Sequence, residues 1–379
     1  MPYGSFSGVV AVALPYLLRR HGMAVEGIAS VEALVQAPSI WYVLWAPVVD
    51  IKFRRRTWVV LLSVVSGVCT AAALCLTMQA SFRAATALFV VASAVNQPVS
   101  SALGGLAAVM MPDDRRGRAA GWSQAGIVSA GVATGALAVW LADRTVSVVP
   151  IAVGTLMIAP SLAALAVAEP RPLRSSRRAR IRRVREDLLA AVRRRDVWLG
   201  IAFFLSPVGA GALINLFSGV AADYHASPSA IIGVAALGGV MIAFGALAGG
   251  VLLDRIDRWR AYPVVGLLTG ASVVAMCFAP LTPLTYLIDA AVYALLTGFA
   301  YAAFMALALE LVGTKTNASG TLFTLFTAAV NAPVVYMLRI DGIGHAHFGV
   351  RGMLAFDGIA NGVFAIILLI VLRRFRSRL

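Results

Sequence analysis

The sequence predicts an all-α, polytopic membrane protein, with twelve transmembrane helices in two pseudo-symmetric six-helix bundles. Three observations lead to this prediction: a strongly apolar composition, repeated apolar runs of membrane-spanning length, and a charged loop that occurs once in each half. Of 379 residues, 60% are hydrophobic and 13% are charged, and the mean hydropathy is +0.86. Soluble domains have roughly 45–50% apolar and about 25% charged residues, so this composition excludes an ordinary soluble fold.

The apolar runs are about 20 residues long, which is the length that a helix needs to cross a hydrocarbon core ~30 Å thick. They are rich in Ala, Leu, Val and Gly and lack the alternating pattern of barrel strands, so helices are the better interpretation. The first run begins at Met1 without a basic leader, and we expect a retained helix rather than a cleaved signal peptide. The predicted spans are 2–18, 28–48, 57–78, 84–110, 119–141, 146–168, 198–221, 229–252, 261–280, 284–309, 318–337 and 354–372.

Basic residues are distributed unequally between the two alternating sets of loops. One set holds 26 of the 32 Lys and Arg residues, and the other holds six. The positive-inside rule then places both termini in the cytoplasm, as expected for a bacterial-type inner-membrane protein. This topology also explains the net charge of +15, and because aromatic residues are not interleaved with the charges, we expect no nucleic-acid partner.

A basic segment divides the chain into halves. Within residues 170–197, apolar residues such as Ile181, Val184 and Leu188 recur at helical spacing among many arginines, which is typical of an amphipathic interfacial helix. We therefore expect two six-helix domains, 1–169 and 198–379, joined by a cytoplasmic linker. The bilayer is the expected partner, and we expect a monomer.

A short loop of acidic and basic residues occurs at equivalent positions in the two halves, 204 residues apart. In each copy an acid is followed four and six residues later by arginines: Asp50, Arg54 and Arg56, then Asp254, Arg258 and Arg260. This pattern resembles the signature loop of the major facilitator superfamily. The resemblance implies the major facilitator fold, a transporter rather than an enzyme, and carboxylates that pair with arginines to hold a cytoplasmic gate. The alternative is a basic loop that only sets the topology.

A second motif gives a narrower resemblance. The stretch Trp-Tyr-Val-Leu-Trp-Ala-Pro-Val-Val-Asp at 41–50 is similar to a stretch of the AmpG-type muropeptide permeases and their acetyl-CoA transporter relatives, although Tyr42 replaces a lysine. Residues 2–8 and 316–323 also sit where that group has a Gly-rich first helix and a later Ala-Thr segment. This resemblance implies transport of a small polar or amphipathic solute, such as a muropeptide.

Few polar groups lie near the middle of the predicted spans, and transport of a polar solute needs some of them to replace its hydration. Asn96 and Gln97 precede Pro98 in the fourth span, where the proline should free a backbone carbonyl. In the fold that the resemblance implies, the first, fourth, seventh and tenth spans line the cavity, so these two residues are candidate substrate contacts. Hydrogen bonding between helices is the alternative role.

The tenth span carries four further candidates at four-residue steps, Asp289, Tyr293, Thr297 and Tyr301. Residues at this spacing lie along one side of a helix, and hydroxyl and aromatic groups there suit a sugar or a peptide. Ordinary packing would give the same stripe. Weaker substrate candidates are Asn215 and Asn331.

Carboxylates within spans are costly unless they are neutral, paired or hydrated, so they are candidates for proton coupling. Glu32 and Asp289 are the two candidates, and Asp357 is a poorer third. For Glu32 and Asp289 the alternative to proton coupling is a carboxylate that is simply hydrated near the outer interface of the membrane. The expected partners are thus a small-molecule substrate and protons.

No nucleotide-binding Gly-x-x-x-x-Gly-Lys-Ser/Thr loop occurs, so the sequence predicts a secondary transporter without a cofactor. His345 and His347 lie close together, but with two other histidines in the chain they do not predict a metal site. Two alternatives stay open: a drug-like efflux carrier of the same fold, and a non-transporting sensor or scaffold.

Overall fold

Every regular element in the computed structural model is a helix, and no strand occurs among the residues that it describes, which are 2–45, 54–110, 116–167, 194–253, 257–312 and 319–376. The α-helices are α1 (Pro2–Gly8), α2 (Leu14–Arg20), α3 (Val25–Gln36), α4 (Pro38–Trp41), α5 (Arg55–Met78), α6 (Phe82–Met110), α7 (Arg116–Arg144), α8 (Val149–Ile158), α9 (Arg195–Phe204), α10 (Phe217–Val220), α11 (Pro228–Leu253), α12 (Arg258–Met276), α13 (Pro283–Val312) and α14 (Ser319–Arg376). A π-helical turn, Val9–Ala13, joins α1 to α2.

Several helices have the length and composition that a membrane span requires. Within the described part of the chain, seven stretches qualify: Arg55–Met78, Phe82–Leu103, Gly126–Arg144, Val146–Ala166, Pro228–Leu252, Pro283–Ala308 and Phe323–Arg374. The last of these contains the turn at Gly349, which divides it into two helices. The helical membrane architecture predicted from hydropathy is confirmed, while the count of twelve stays a prediction.

The seventh predicted span, 198–221, is not one continuous helix. It begins with α9, which ends at Phe204, and the chain then turns through Gly209 (φ +68°) and Gly211 (φ +72°), a backbone region that favours glycine. Short helical turns follow at Ala212–Asn215, Phe217–Val220 and Ala221–Tyr224. The stretch is apolar enough on average to be predicted as one span, although Pro207, Gly209 and Gly211 are residues typical of a turn.

The end of α14 also differs from the sequence prediction. Its 58 residues comprise two helices that meet at Gly349, where φ is +64° and ψ is −156°. The eleventh span was expected to end at residue 337, but the helix continues to this turn and encloses Asp341, which is fully buried. Arg339, Asp341, two histidines and two glycines before the turn lower the hydropathy there and hid the last turns of the span.

The Gly-rich first helix packs closely on α7. A Cβ atom at Gly4 would lie 2.0 Å from the carbonyl oxygen of Ile127, and one at Gly8 would lie 1.9 Å from that of Gly131. Thr134 of α7 donates a hydrogen bond to the hydroxyl of Ser5 at 3.0 Å. The glycines therefore permit backbone contact between the two helices, as small residues do in membrane bundles.

Aromatic side chains form the core around α9. The ring of Phe204 lies 4.9 Å from that of Phe304 and 5.3 Å from that of Phe326, both in edge-to-face geometry. Phe203 similarly packs 5.3 Å from Trp259. Aromatic pairs of this geometry contribute about 0.5–1.5 kcal/mol beyond their area burial, so they fix α9 to its neighbouring helices.

The chain forms two compact units by its internal contacts. One comprises Met1–Pro172 with Asn215–Gly239, and we call it the N-terminal unit; the other comprises Leu173–Ile214 with Val240–Leu379, and we call it the C-terminal unit. The second part of the broken seventh span thus packs with the first half of the sequence. Most of the linker at 170–197 lies outside the described residues, and the domain boundaries at 169 and 198 stay a prediction.

Candidate functional site

Four side chains inside the N-terminal unit are buried without a hydrogen-bond partner among the residues that the structure describes: the hydroxyls of Ser63 and Ser218, and Glu32 and Asn96, which each leave two polar atoms unpaired. Glu32 on α3 is 0% exposed, and neither of its carboxyl oxygens has a partner. Asn96 on α6 is also 0% exposed, and both its amide nitrogen and its oxygen are unpaired. Because a buried polar group without a partner costs about 1–3 kcal/mol, native proteins retain such groups mainly for a purpose other than stability.

Further polar residues accompany Glu32 and Asn96. Gln36, one helical turn after Glu32, donates a hydrogen bond to the side-chain oxygen of Asn215 at 3.4 Å. Gln97 follows Asn96 and is buried, and α3 packs on α6. The structure therefore brings Asn215 to Gln36, and it buries Asn96 and Gln97 on a helix that packs against the one carrying Glu32.

A proline interrupts the hydrogen bonding of α6 beside Asn96. Pro98 has no N–H, so the carbonyl of Ala94, four residues earlier, loses its helical donor. The indole N–H of Trp45 donates to this carbonyl at 3.1 Å. The freed carbonyl predicted from the sequence is thus confirmed, and its partner is the second tryptophan of the 41–50 motif.

The candidates on α13 divide by exposure. Asp289, Tyr293 and Thr297 are between 1% and 4% exposed, whereas Tyr301 is 45% exposed. Four-residue steps drift by about 40° each in an α-helix, so the fourth member lies about 120° around the helix from the first. Tyr301 consequently lies outside the buried face that the other three share. Thr297 donates to the carbonyl of Tyr293 at 2.8 Å within the same helix.

Tyr293 occupies a central place in the C-terminal unit. Its hydroxyl donates to a carboxyl oxygen of Asp357 at 3.2 Å and accepts from the backbone N–H of Leu213 at 3.5 Å. Asn361 also binds Asp357, since its side-chain amide donates to the other carboxyl oxygen at 3.1 Å. Its side-chain oxygen accepts from the N–H of Gly209 at 3.0 Å. Asn331 is half-buried on α14, two residues before Pro333.

Two more tyrosines support the broken seventh span. Tyr262 donates to the carbonyl of Val208 at 2.9 Å, and Tyr336 donates to that of Leu205 at 2.8 Å. Non-helical backbone at membrane depth requires such partners, because lipid offers none. Sequence reasoning missed Asn361, Tyr262 and Tyr336, since only the break reveals what they bind.

The two gate carboxylates, Asp50 and Asp254, lie outside the described residues. Arg56 donates to the carbonyls of Val167 at 2.9 Å and Leu165 at 3.3 Å, and Arg54 precedes the first residue of α5. In the second copy, Arg258 pairs with Glu310 at 3.5 Å, and Arg260 is exposed. The ion pair between Arg258 and Glu310 joins α12 to α13 at their predicted cytoplasmic ends.

A further ion pair lies at the start of α9, before the predicted membrane segment. Arg194 bonds both carboxyl oxygens of Asp196, at 2.6 Å and 3.2 Å, and also donates to the carbonyl of Leu311 at 2.8 Å. The hydrogen bonds from Arg194 lower the pKa of Asp196 below its ordinary value of 3.8. This pair therefore ties the beginning of α9 to the end of α13.

Over the part of the chain that the structure describes, no three His, Cys, Asp or Glu side chains are grouped so as to hold a metal ion.

Comparisons with known proteins agree with this architecture. Residues 2–337 match the family described as Major Facilitator Superfamily. The chain is 26% identical over 356 residues to the anhydromuropeptide permease of Escherichia coli strain K12, an alignment that covers 90% of this chain and 72% of that protein. The permease of Escherichia coli O157:H7 gives the same values.

Solved structures of three transporters share the fold. A D-xylose-proton symporter has a TM-score of 0.75 at 12% identity, over 97% of this chain and 94% of its own. A nucleoside transporter has a TM-score of 0.73 at 12% identity, over 97% and 96%. A bacterial homologue of the human lysosomal transporter Spinster, inward-facing and unoccupied, has a TM-score of 0.67 at 14% identity, over 98% and 92%. At these identities the likeness shows the fold alone.

Proposed function

Because the chain belongs to the major facilitator superfamily of membrane transporters, we propose that it is a secondary transporter that moves a sugar-peptide of the muropeptide class by alternating access, coupled to protons. The relative that is 26% identical over 90% of this chain is an anhydromuropeptide permease, and this supports the substrate class. The family match and the relative indicate a transporter rather than an enzyme.

The observation that carries the proposal is the unsatisfied carboxyl and amide groups buried in the N-terminal unit. Glu32 and Asn96 together leave four polar atoms without a partner among the described residues. A polar solute that replaces its lost hydration with these groups would satisfy the solute and the protein at once. A rigid helix bundle has no such use for them.

The substrate contacts that we propose follow from burial and chemistry. In the N-terminal unit they are Asn96, Gln97 and Asn215, whose amides both donate and accept hydrogen bonds. On α13 and α14 they are Tyr293, Thr297, Tyr301 and Asn331, which offer hydroxyl, aromatic and amide groups suited to a sugar-peptide.

For proton coupling we propose Glu32 and Asp289. A carboxylate that is fully buried and unpaired, as Glu32 is, would be expensive to keep charged, so it favours the protonated form. Loading it with a proton on one side and releasing the proton on the other would couple the gradient to the change of conformation. Asp289 is 4% exposed on α13 and is the second candidate.

For the cytoplasmic gate we propose the repeated loop. Arg258 holds Glu310 at 3.5 Å, and Arg56 binds the backbone beyond α8, so each copy bonds residues distant in sequence. Asp50, Arg54, Asp254 and Arg260 complete the proposed gate, with both termini on this side of the inner membrane. Such contacts break and form again as the protein changes conformation.

The experiment that tests the function is uptake into proteoliposomes, with and without an inward proton gradient. The solutes are an anhydromuropeptide, free N-acetylglucosamine, a short peptide and a lipophilic cationic dye. We expect gradient-dependent uptake of the anhydromuropeptide and its loss in Asn96→Leu, while Thr77→Ala, a buried hydroxyl bonded within α5, keeps it. Movement of the dye alone would identify a drug-like carrier, and no flux of any solute would favour a sensor or scaffold.

A further inference from the structure

Helix α14 contains two buried carboxyl groups, Asp341 and Asp357, and none of the roles proposed above involves Asp341. It lies eight residues before the turn at Gly349, and Asp357 lies eight residues after it. At ~1.5 Å per residue both are about 12 Å along their helices from the turn, and so at a similar depth. The helices approach closely near the turn, where a Cβ at Gly344 would lie 2.7 Å from the carbonyl oxygen of Gly352.

The two carboxyl groups differ in their hydrogen bonding. Both residues are 0% exposed. Asp357 accepts from the hydroxyl of Tyr293 at 3.2 Å and from the amide of Asn361 at 3.1 Å, one donor on each oxygen. Asp341 has no hydrogen-bond partner for either oxygen among the described residues, and the turn at Gly349 brings its helix back against the helix that carries Asp357.

Ionisable groups on the surrounding helices do not neutralise the pair. Tyr293 faces it directly. Arg339 lies two residues before Asp341 and Arg351 lies two residues after the turn, and both arginines are exposed. Among the described residues neither arginine forms an ion pair with Asp341 or Asp357. The other ionisable residues on the elements packed here are Arg258, Arg260 and Tyr262 on α12 with Cys277 just after it, Tyr286, Asp289, Tyr301 and Glu310 on α13, Tyr336, His345, His347, Arg373, Arg374 and Arg376 on α14, and Arg195 and Asp196 at the far end of α9.

We propose that Asp341 and Asp357 form a proton-binding site, in which Asp341 carries the proton and Asp357 is the carboxylate held by Tyr293 and Asn361. Two buried carboxylates without a cation cannot both stay charged, because their repulsion adds to the cost of burying each charge. The two donors that reach Asp357 stabilise the charged form there, whereas none of the described residues donates a hydrogen bond to Asp341. A proton is the smallest ligand that satisfies the pair, and binding converts one carboxylate to a carboxylic acid.

The site is connected to the broken seventh span. Asn361 donates to Asp357 and accepts from the N–H of Gly209, and Tyr293 donates to Asp357 and accepts from the N–H of Leu213. Loss of the proton from Asp341 would place a second negative charge near the Asp357 carboxylate, and the repulsion would strain the two bonds that Asp357 accepts from Tyr293 and Asn361. These two side chains hold the non-helical backbone between α9 and Asn215. Proton occupancy is therefore positioned to act on the break in this span. The effect of proton binding on solute transport rests on the proposed function, whereas the binding of a proton at this site does not.

Infrared difference spectroscopy of the purified protein, titrated with pH without any solute, tests the site. Protonated carboxylic acids give a carbonyl band that shifts in D2O. We expect a pH-dependent band that loses about one titrating carboxyl in both Asp341→Asn and Asp357→Asn, since the pair titrates as a unit. Asp143→Asn removes a carboxyl that is exposed at the end of α7 and should leave this buried contribution unchanged.

Three results would overturn the proposal: a titration in Asp341→Asn that matches the wild type, a band lost only in Asp143→Asn, and a titration that sodium chloride displaces but choline chloride does not, which would make the ligand sodium. If Asp341→Asn does not fold, Asp341→Glu keeps the ionisable group; we expect it to retain the band with a shifted midpoint, and an unshifted midpoint contradicts the assignment. Because no solute is present, the titration tests the proton site alone. The site can be confirmed while muropeptide uptake is not observed, and uptake can be observed while the site is refuted.

Discussion

The indole N–H of Trp45 donates a hydrogen bond to the carbonyl of Ala94 at 3.1 Å, and this is the carbonyl that Pro98 leaves without its helical donor. The tryptophan of one predicted span thus completes the hydrogen bonding of another. Asn96, with its two unpaired side-chain atoms, lies between Ala94 and Pro98 on the same helix. The contact therefore stabilises the interrupted helix at the position where we propose that substrate binds.

Replacing Trp45 by Phe removes the donor and leaves the carbonyl of Ala94 unsatisfied. We expect a destabilisation of about 1–3 kcal/mol from the lost partner, seen as a lower melting temperature in detergent, together with reduced uptake. Trp41→Phe, a change of the same kind at a side chain that is 59% exposed, should have little effect.

A double-mutant cycle separates the hydrogen bond from the loss of packing. Pro98→Ala supplies a backbone N–H for the carbonyl of Ala94, so Trp45→Phe should cost about 1 kcal/mol less in that background than in the wild type. Equal costs in the two backgrounds would show that the indole N–H contributes nothing beyond its volume.

Arg19 at the end of α2 pairs with Asp223 at 3.3 Å, and Gly219 of the same segment lies against Ile28 and Pro15. The pair is partly exposed, so we expect it to contribute only about 0.5 kcal/mol. Arg19→Gln should raise the rate at which a membrane-impermeant maleimide labels Ser218→Cys, in a background without the three native cysteines, because the segment is released more often. The swap of Arg19→Asp with Asp223→Arg should restore slow labelling, and Arg83→Gln, an exposed arginine, should not change it.

The pair of Arg258 with Glu310 tests the proposed cytoplasmic gate. Arg258→Ala should increase the labelling of Val197→Cys, a position that is 1% exposed at the start of α9, because the gate opens more often. Glu310→Gln removes the same ion pair and should give the same increase. If labelling increases with only one of the two substitutions, the ion pair does not hold the proposed gate closed.

Asp196 gives a stability difference with a defined pH dependence. Its pKa in the folded protein is lowered below 3.8 by Arg194, so the pair stabilises the fold above the unfolded pKa and loses this contribution as pH falls through the folded value. The melting temperature of Asp196→Asn should therefore be lower than that of the wild type near neutral pH, and the two should converge below pH 3.8. With side chains 32% and 46% exposed, screening limits the effect to about 0.5 kcal/mol. Glu26→Gln, at an exposed position on α3, is the control, and a gap that widens in acid would contradict the account.

Much of the fold could be predicted from the sequence because hydropathy and loop charge are local properties. The positions of most spans follow from them. The superfamily was identified instead from the resemblance of the repeated loop to a signature motif, and the carbonyl freed by Pro98 from the missing N–H of proline. The break at Gly209 and Gly211 was not predicted, because the stretch is apolar on average and its backbone groups are satisfied by Tyr262, Tyr336 and Asn361 on other helices. Pro207 and the two glycines are the turn-forming residues that could have indicated it.

The candidate site was predictable to a smaller degree. The sequence singled out Glu32, Asn96 and Tyr293 as polar residues inside apolar runs, and all three are buried. Asp341 was placed in a loop, since its charge and the nearby glycines end the apolar run before the helix itself ends. Its pairing with Asp357 depends on the turn at Gly349, whose geometry the sequence does not reveal.

The central claim is that this transporter couples a proton at Glu32 to movement of an anhydromuropeptide. The most direct test compares two uptake modes in proteoliposomes, uphill uptake driven by an inward proton gradient and exchange at equal pH, for the wild type, Glu32→Gln and the exposed control Glu26→Gln. We predict that Glu32→Gln abolishes gradient-driven uptake and retains exchange, while Glu26→Gln keeps both. Gradient-driven uptake by Glu32→Gln with an unchanged pH dependence would contradict the account.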